Sequence, residues 1–224
     1  MPAWNPSSEP ALPAQSRRLT QKKLLQGVVE LSEKDRGLAR LSERYGPPPM
    51  WGRKANFAAL LKIILEQQVS LTSADAVYQR LAAQLPGIEA QALVEFSEAG
   101  LRELGFTRQK ASYCYGLAEM ICNSELDLDA IACMDDEDAH DALLKVRGIG
   151  TWTANIYLLM ALRRPDIWPH GDLALAESAR RMRKLEHRPD YDRLDRMARR
   201  WRPWRSVAAR ILWHAYLSEN RTPA

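Results

Sequence analysis

Leu143-Leu144-Lys145-Val146-Arg147-Gly148-Ile149-Gly150-Thr151-Trp152-Thr153-Ala154 is the stretch that decides how this chain folds. Two glycines flank one apolar residue, a pattern that permits a tight turn between helices with Ile149 tucked inside it. Glycine tolerates positive φ and leaves the neighbouring backbone amides uncovered. Those amides open the following helix, where unpaired N–H groups and the helix dipole can receive a phosphate without any charged side chain. A bare Gly-x-Gly is equally a plain helix connector, so the surrounding sequence has to decide.

Outward from this turn, nearly every segment repeats its apolar residues at helical spacing, and almost none alternates as a strand does. Downstream, helices are expected over residues 151–162, 172–182, 190–201 and 203–217, the last with Pro203 in its first turn. Upstream, Asp135, Asp136, Glu137 and Asp138 crowd the start of a helix that ends near Lys145, placing carboxylates at the positive end of its dipole. Before it, Thr107 is placed to cap a helix running to Cys122, and two short helices are expected over 90–96 and 98–104, the second closed by Gly105. Phe57, Leu60, Leu61, Ile64 and Leu65 mark a helix ending near Gln67, followed by another from Ser70 or Thr72 to Pro86. Two more precede Gly46-Pro47-Pro48-Pro49, where consecutive prolines break the ladder. The expected fold is all-α, about ten helices in two lobes, with the hairpin of residues 143–154 between two of them.

The 224 residues suffice for a substantial core, and 46% of them are hydrophobic. No apolar run approaches the roughly 20 residues that a membrane span requires. Residues 1–16 hold four prolines without a basic cluster and apolar stretch, which reads as a flexible tail before a globular unit over 17–224. Cys114, Cys122 and Cys133 are odd in number, which points to reduced thiols in the cytoplasm. The net charge is only +4, but from Leu173 onward 13 basic residues face 6 acidic ones. That basic third fits one face turned to a polyanion, and equally a solvated helix surface.

With these residues in view, the chain resembles the helix-hairpin-helix DNA glycosylases, and among them the AlkA-type 3-methyladenine DNA glycosylases II. Their hairpin reads close to Gly-Ile-Gly-x-Trp-Thr-Ala, as at residues 148–154 here. An aspartate opens the next helix, as in His170-Gly171-Asp172-Leu173. Two further blocks agree, Ile64-Leu65-Glu66-Gln67-Gln68-Val69-Ser70 and Trp201-Arg202-Pro203-Trp204-Arg205-Ser206 leading to Leu212-Trp213-His214.

The resemblance implies a monofunctional enzyme that hydrolyses the N-glycosidic bond of alkylated purines in damaged double-stranded DNA. Asp172 is then the catalytic carboxylate, although Asp is also a favoured helix N-cap. Trp152 would stand beside the flipped base, with Ile156 below it and Trp213 as a second aromatic. The plain alternative is that Trp152, Ile156 and Leu159 form one packing face. Trp213 lies nine residues from Trp204, about half a helical turn out of phase, so Trp204 is expected in the core and Trp213 toward the cleft. Trp152 also occupies the position where related bifunctional enzymes carry a Schiff-base lysine, so no lyase activity is expected. Gln68 matches the intercalating wedge, unless Gln67 and Gln68 merely cap their helix. Gly148, Ile149, Gly150 and Thr151 would hold the DNA backbone. The carbonyls of Leu144, Val146 and Gly148 match those that hold a monovalent cation, Na+ or K+, in relatives.

Departures from the family are few. The stretch before Trp51 is too short for the N-terminal domain of larger relatives, so the chain reads as a compact form. Three cysteines spaced eight and eleven apart cannot supply the four-cysteine iron–sulfur cluster of another branch, and no other cofactor is expected. A monomer with no membrane partner is expected, acting in the cytoplasm. The rival reading is a non-catalytic DNA-binding protein built on the same hairpin, which would need neither Asp172 nor the two tryptophans.

Overall fold

A computed structural model describes residues 18–220; the expected tail lies outside them. Among the described residues there are twelve α-helices and no strand. The chain opens with α1 (Gln21–Lys34) and α2 (Arg36–Tyr45), and after the proline break come α3 (Phe57–Glu66), α4 (Leu71–Gln84), α5 (Ala90–Glu103) and α6 (Arg108–Cys122). Then follow α7 (Leu128–Cys133), α8 (Asp136–Leu144) and α9 (Thr151–Ile156), the last running into a π-helical turn at Tyr157–Ala161. The remainder is α10 (Leu173–Arg183), α11 (Tyr191–Arg199) and α12 (Arg205–Glu219).

Local chemistry explains most of these boundaries. Asn56, Ser70, Thr107, Asp135 and Asp190 each accept a backbone N–H of the helix that follows, which fixes five N-termini. A positive φ of 67° at Ser97 kinks α5 into the two short pieces expected there. Elsewhere the structure departs from the sequence reading. The short α7, capped by Asp127, lies between Cys122 and Asp135, where no helix was expected. Pro203 follows a cis peptide bond in the turn before α12 instead of sitting in its first turn. Residues 151–162 do not form one regular helix, because Leu162 N–H reaches back five residues to the Tyr157 carbonyl at 3.2 Å. Two carbonyls of the same turn are bound by donors from outside the helix. The Arg210 guanidinium takes the Leu159 carbonyl at 3.0 Å and the Arg53 amide takes that of Met160 at 3.0 Å.

Packing divides the helices into two groups. In one, α1 and α2 lie with α10 and α12, and α11 packs onto α10 and α12; in the other, α3 to α9 pack among themselves. Each group draws on a continuous apolar core that includes Leu24, Leu60, Ile64, Leu158 and Leu212, all fully buried. Buried polar groups fasten distant segments. Asp35 caps α2 through the amides of Gly37 and Leu38, accepts the Trp201 indole N–H at 2.9 Å, and is paired with Arg183. The fully buried Arg210 forms no ion pair among the described residues; it donates to the carbonyls of Met50, Trp51, Leu159 and Ser206, with burial pushing its pKa down to about 10. Among the described residues no helix is long and apolar enough to cross a membrane.

Candidate active site

Asp172 stands where the two groups of helices meet. A turn with φ of 83° at Gly171 delivers it to the N-cap of α10, where Oδ1 accepts the Leu175 amide at 2.9 Å. Two indoles complete its surroundings. Trp152 Nε1, in the first turn of α9, donates to Oδ2 at 3.1 Å, and Trp213 Nε1, on α12, donates to Oδ1 at 3.2 Å. The carboxylate is 9% exposed, and among the described residues no Lys, Arg or His forms an ion pair with it. It is therefore bonded by three neutral N–H dipoles and paired with no side-chain cation among the described residues.

Trp152 and Trp213 are half-buried, so each keeps ring surface outside the core, whereas Ile156, one turn beyond Trp152, is 5% exposed and packed. Trp204 does not join them: its indole donates to Glu30 at 2.6 Å, with the ring lying against Gly27. His170 does not contact Asp172 either. It bonds Asp195 at 2.7 Å, and Asp195 also accepts the Trp168 indole at 3.0 Å.

The hairpin between α8 and α9 is closed by Ile149 N–H donating to the Val146 carbonyl at 3.0 Å, with Ile149 itself buried. Its two glycines serve different purposes. Gly148 has φ of 92°, and a Cβ there would stand 2.3 Å from the Tyr113 ring, so the position excludes any side chain. Tyr113 is held by Gln109 at 2.7 Å, and the Arg147 guanidinium lies 5.9 Å from its ring centroid. Gly150 is extended, with φ of −95°, and a Cβ there would meet nothing. It caps α9 without a side-chain bond, which leaves the first amides of the helix uncovered beside the exposed Thr151. Two of the three carbonyls matched to a cation already accept a hydrogen bond, Val146 from Ile149 and Gly148 from Gln67. A carbonyl has a second lone pair, so neither bond by itself bars a cation from these oxygens.

Gln68 is exposed with φ of 56°, a left-handed conformation that carries it out of α3, and Val69 and Leu71 beside it are 45% and 64% exposed. Sequence reasoning missed its neighbour. Gln67 does not simply end α3: its side-chain amide donates to the Gly148 carbonyl at 2.9 Å and to Thr153 Oγ1 at 2.8 Å. Lys110 Nζ in turn donates to the carbonyls of Leu65 at 2.6 Å and Gln67 at 2.8 Å, with burial holding its ammonium below the ordinary lysine pKa. The only signal for Gln67 in the sequence was a polar residue closing an apolar helix. A groove of about 570 Å³ between α3 and α4 lies apart from this site and includes neither Asp172 nor its tryptophans. Both of its carboxylates are paired, Glu66 with Arg53 and Asp75 with Lys62, so it offers no comparable centre.

Comparison with known proteins places this geometry in a family. A Bacillus subtilis protein named as a candidate DNA-3-methyladenine glycosylase is 29% identical over 199 residues, covering 85% of this chain and 69% of its own. The fold matches the Schizosaccharomyces pombe 3-methyladenine DNA glycosylase in complex with abasic DNA, with a TM-score of 0.76 at 22% identity over 84% of this chain and 95% of that one. It matches the Clostridium acetobutylicum 8-oxoguanine glycosylase/lyase nearly as well, with a TM-score of 0.74 at 19% identity over 88% and 70% of the two chains. The fold is thus shared by a protein named a glycosylase and one named a glycosylase/lyase. The HhH-GPD superfamily of base excision DNA repair proteins matches residues 61–203, which is most of the chain, and this protein belongs to that superfamily.

Proposed function

We propose that this protein is a monofunctional DNA glycosylase, hydrolysing the N-glycosidic bond of alkylated purines in damaged duplex DNA with Asp172 as its catalytic carboxylate. One observation carries the reading: a buried aspartate without a cationic partner, oriented by the indole N–H groups of Trp152 and Trp213. A purine alkylated at a ring nitrogen is already cationic, so its departure needs no acid to protonate it. Positive charge then grows on the deoxyribose, and a fixed carboxylate nearby stabilises that charge and orients the attacking water. The electron-rich faces of Trp152 and Trp213 suit a cationic ring, with Ile156 closing the floor beneath Trp152.

The hairpin supplies the hold on DNA. Open amides at Gly150 and Thr151 suit a phosphate, Gly148 and Ile149 set the turn that presents them, and Gln68 fills the space of the displaced base. A monovalent cation on the Leu144, Val146 and Gly148 carbonyls would add positive potential beside that phosphate. Trp152 has no amine with which to form an imine, which favours hydrolysis over lyase chemistry. The relative named for 3-methyladenine supports the alkylpurine class. The protein would work as a monomer in the cytoplasm, associated with the nucleoid if its source is bacterial.

The test is base release from methylated duplex DNA by the wild type and by Asp172→Asn. Release falling by roughly 100-fold or more in the variant, with DNA affinity retained, supports the mechanism. Equal release by both would reject Asp172, and a covalent adduct trapped with borohydride on the wild type would reject the monofunctional assignment.

A further inference from the structure

Gln67 sits where three segments distant in sequence converge. Its side-chain amide nitrogen bonds the Gly148 carbonyl and the Thr153 hydroxyl, 81 and 86 residues away. Its own carbonyl, with that of Leu65, is gripped by Lys110 of α6. The third side of this triangle is Tyr113, one turn along α6 from Lys110, whose ring fills the space against Gly148. Thus α6 touches both the end of α3 and the hairpin, and Gln67 joins those two directly. One peptide bond further on, Gln68 leaves the helix in a left-handed conformation and stands exposed.

The two N–H groups of one amide, aimed at a fixed carbonyl and a fixed hydroxyl, leave Gln67 little freedom. Whatever locates the hairpin therefore locates Gln68. Phosphate contacts set where a protein lies on the duplex, while a wedge acts on the base stack, so the two must keep a constant separation. We propose that Gln67, held by Lys110, is a positioning residue that keeps Gln68 in register with the hairpin, so that docking on the backbone delivers the wedge to the step being opened. This rests on the base-flipping reading above. It assigns Gln67 no part in bond cleavage, which belongs to Asp172 across the cleft. Losing the link must therefore impair extrusion of a paired base while sparing the chemistry on a base that is already unpaired.

Single-turnover base release by Gln67→Leu and Lys110→Met tests this on two methylated substrates, one fully paired and one with the lesion in a single-nucleotide bulge. A misplaced wedge should slow release from the paired duplex by roughly tenfold or more and from the bulge by no more than about threefold. Affinity for undamaged duplex should stay near wild type in proteins that remain folded with a midpoint lowered by several degrees, and Lys110→Arg, which keeps a cationic donor, should recover most of the loss in release. Equal slowing on both substrates, or none on either, overturns the proposal. A second readout is the fluorescence of 2-aminopurine beside the lesion on binding, which should rise with the wild type and much less with Gln67→Leu. If the wild type releases no base at all, the glycosylase reading fails, while this signal still decides the positioning role. A rise as large with Gln67→Leu as with the wild type, or no rise with either, overturns it.

Discussion

Trp152 Nε1 donates to Asp172 Oδ2 over 3.1 Å, tying the first turn of α9 to the N-cap of α10. Since Trp213 does the same for Oδ1 from α12, the carboxylate plane is fixed from both sides. Ring and N–H can be separated by substitution. Trp152→Phe keeps an aromatic face and removes one donor to a charged acceptor, a bond worth about 1.5–3 kcal/mol. We expect kcat to fall by roughly tenfold or more with KM little changed, whereas Trp152→Leu, which also loses the face, should raise KM. Wild-type kcat in Trp152→Phe would show that the indole N–H does not orient Asp172.

The two hairpin glycines should respond differently to one added methyl group. Gly148→Ala meets the Tyr113 ring and a φ of 92°, so a stability loss of about 2–4 kcal/mol is expected in denaturant unfolding. Gly150→Ala has extended backbone and open space, so stability should stay within about 0.5 kcal/mol of wild type. Its methyl group would nevertheless crowd the open amides of α9. Duplex affinity should therefore drop in a protein that is otherwise intact, as a salt-controlled binding titration would reveal.

Acid should act through Asp35. Burial pushes its carboxyl upward, but the Trp201 indole, the Arg183 guanidinium and the Gly37 amide outweigh that and hold it below the ordinary value of 3.8. A depressed folded-state pKa contributes stability that is fully present above 3.8 and is lost as pH falls through the lower, folded value. Asp35→Ala strands the buried indole and the guanidinium and should cost about 3–5 kcal/mol at neutral pH. Unfolding free energies measured between pH 7 and pH 3 should fall less steeply in this variant. A slope equal to wild type would place the acid sensitivity elsewhere.

The three thiols should divide cleanly. Cys122 and Cys133 are exposed, while Cys114 is fully buried and burial raises its pKa to about 12. A maleimide at neutral pH should label two cysteines in the native protein and three after denaturation, as counted by mass spectrometry. Labelling of Cys114 without denaturant would reveal opening of α6 from the core.

Much of this architecture was legible because its causes are local. Asn56, Ser70, Thr107 and Asp190 cap helices by bonds to amides three residues on, and such chemistry can be read along the sequence. The π-helical turn was not legible: no local signal marks it, and two of its carbonyls are bound by Arg210 and by the Arg53 amide, some fifty residues downstream and about one hundred upstream. The candidate site divides in the same way. Asp172 could be singled out through the resemblance, but its two indole donors lie 20 and 41 residues away, and nothing in the sequence states that they would meet one carboxylate. Gln67 shows the limit most clearly. Its spacing predicts only the end of a helix, and its partners at Gly148 and Thr153 exist only once the chain has closed on itself.

The grouping of α1 and α2 with the last three helices has a consequence for biosynthesis. The middle helices, α3 to α9, find their main partners among themselves and can assemble as soon as they are made. The opening pair must wait for α10 and α12. Trp213 arrives with α12, the last helix in chain order, so the hydrogen-bonded setting of Asp172 is the final feature to be completed. A nascent chain could thus present a formed hairpin before it has an assembled catalytic centre, so that any early contact with DNA would leave the bases intact.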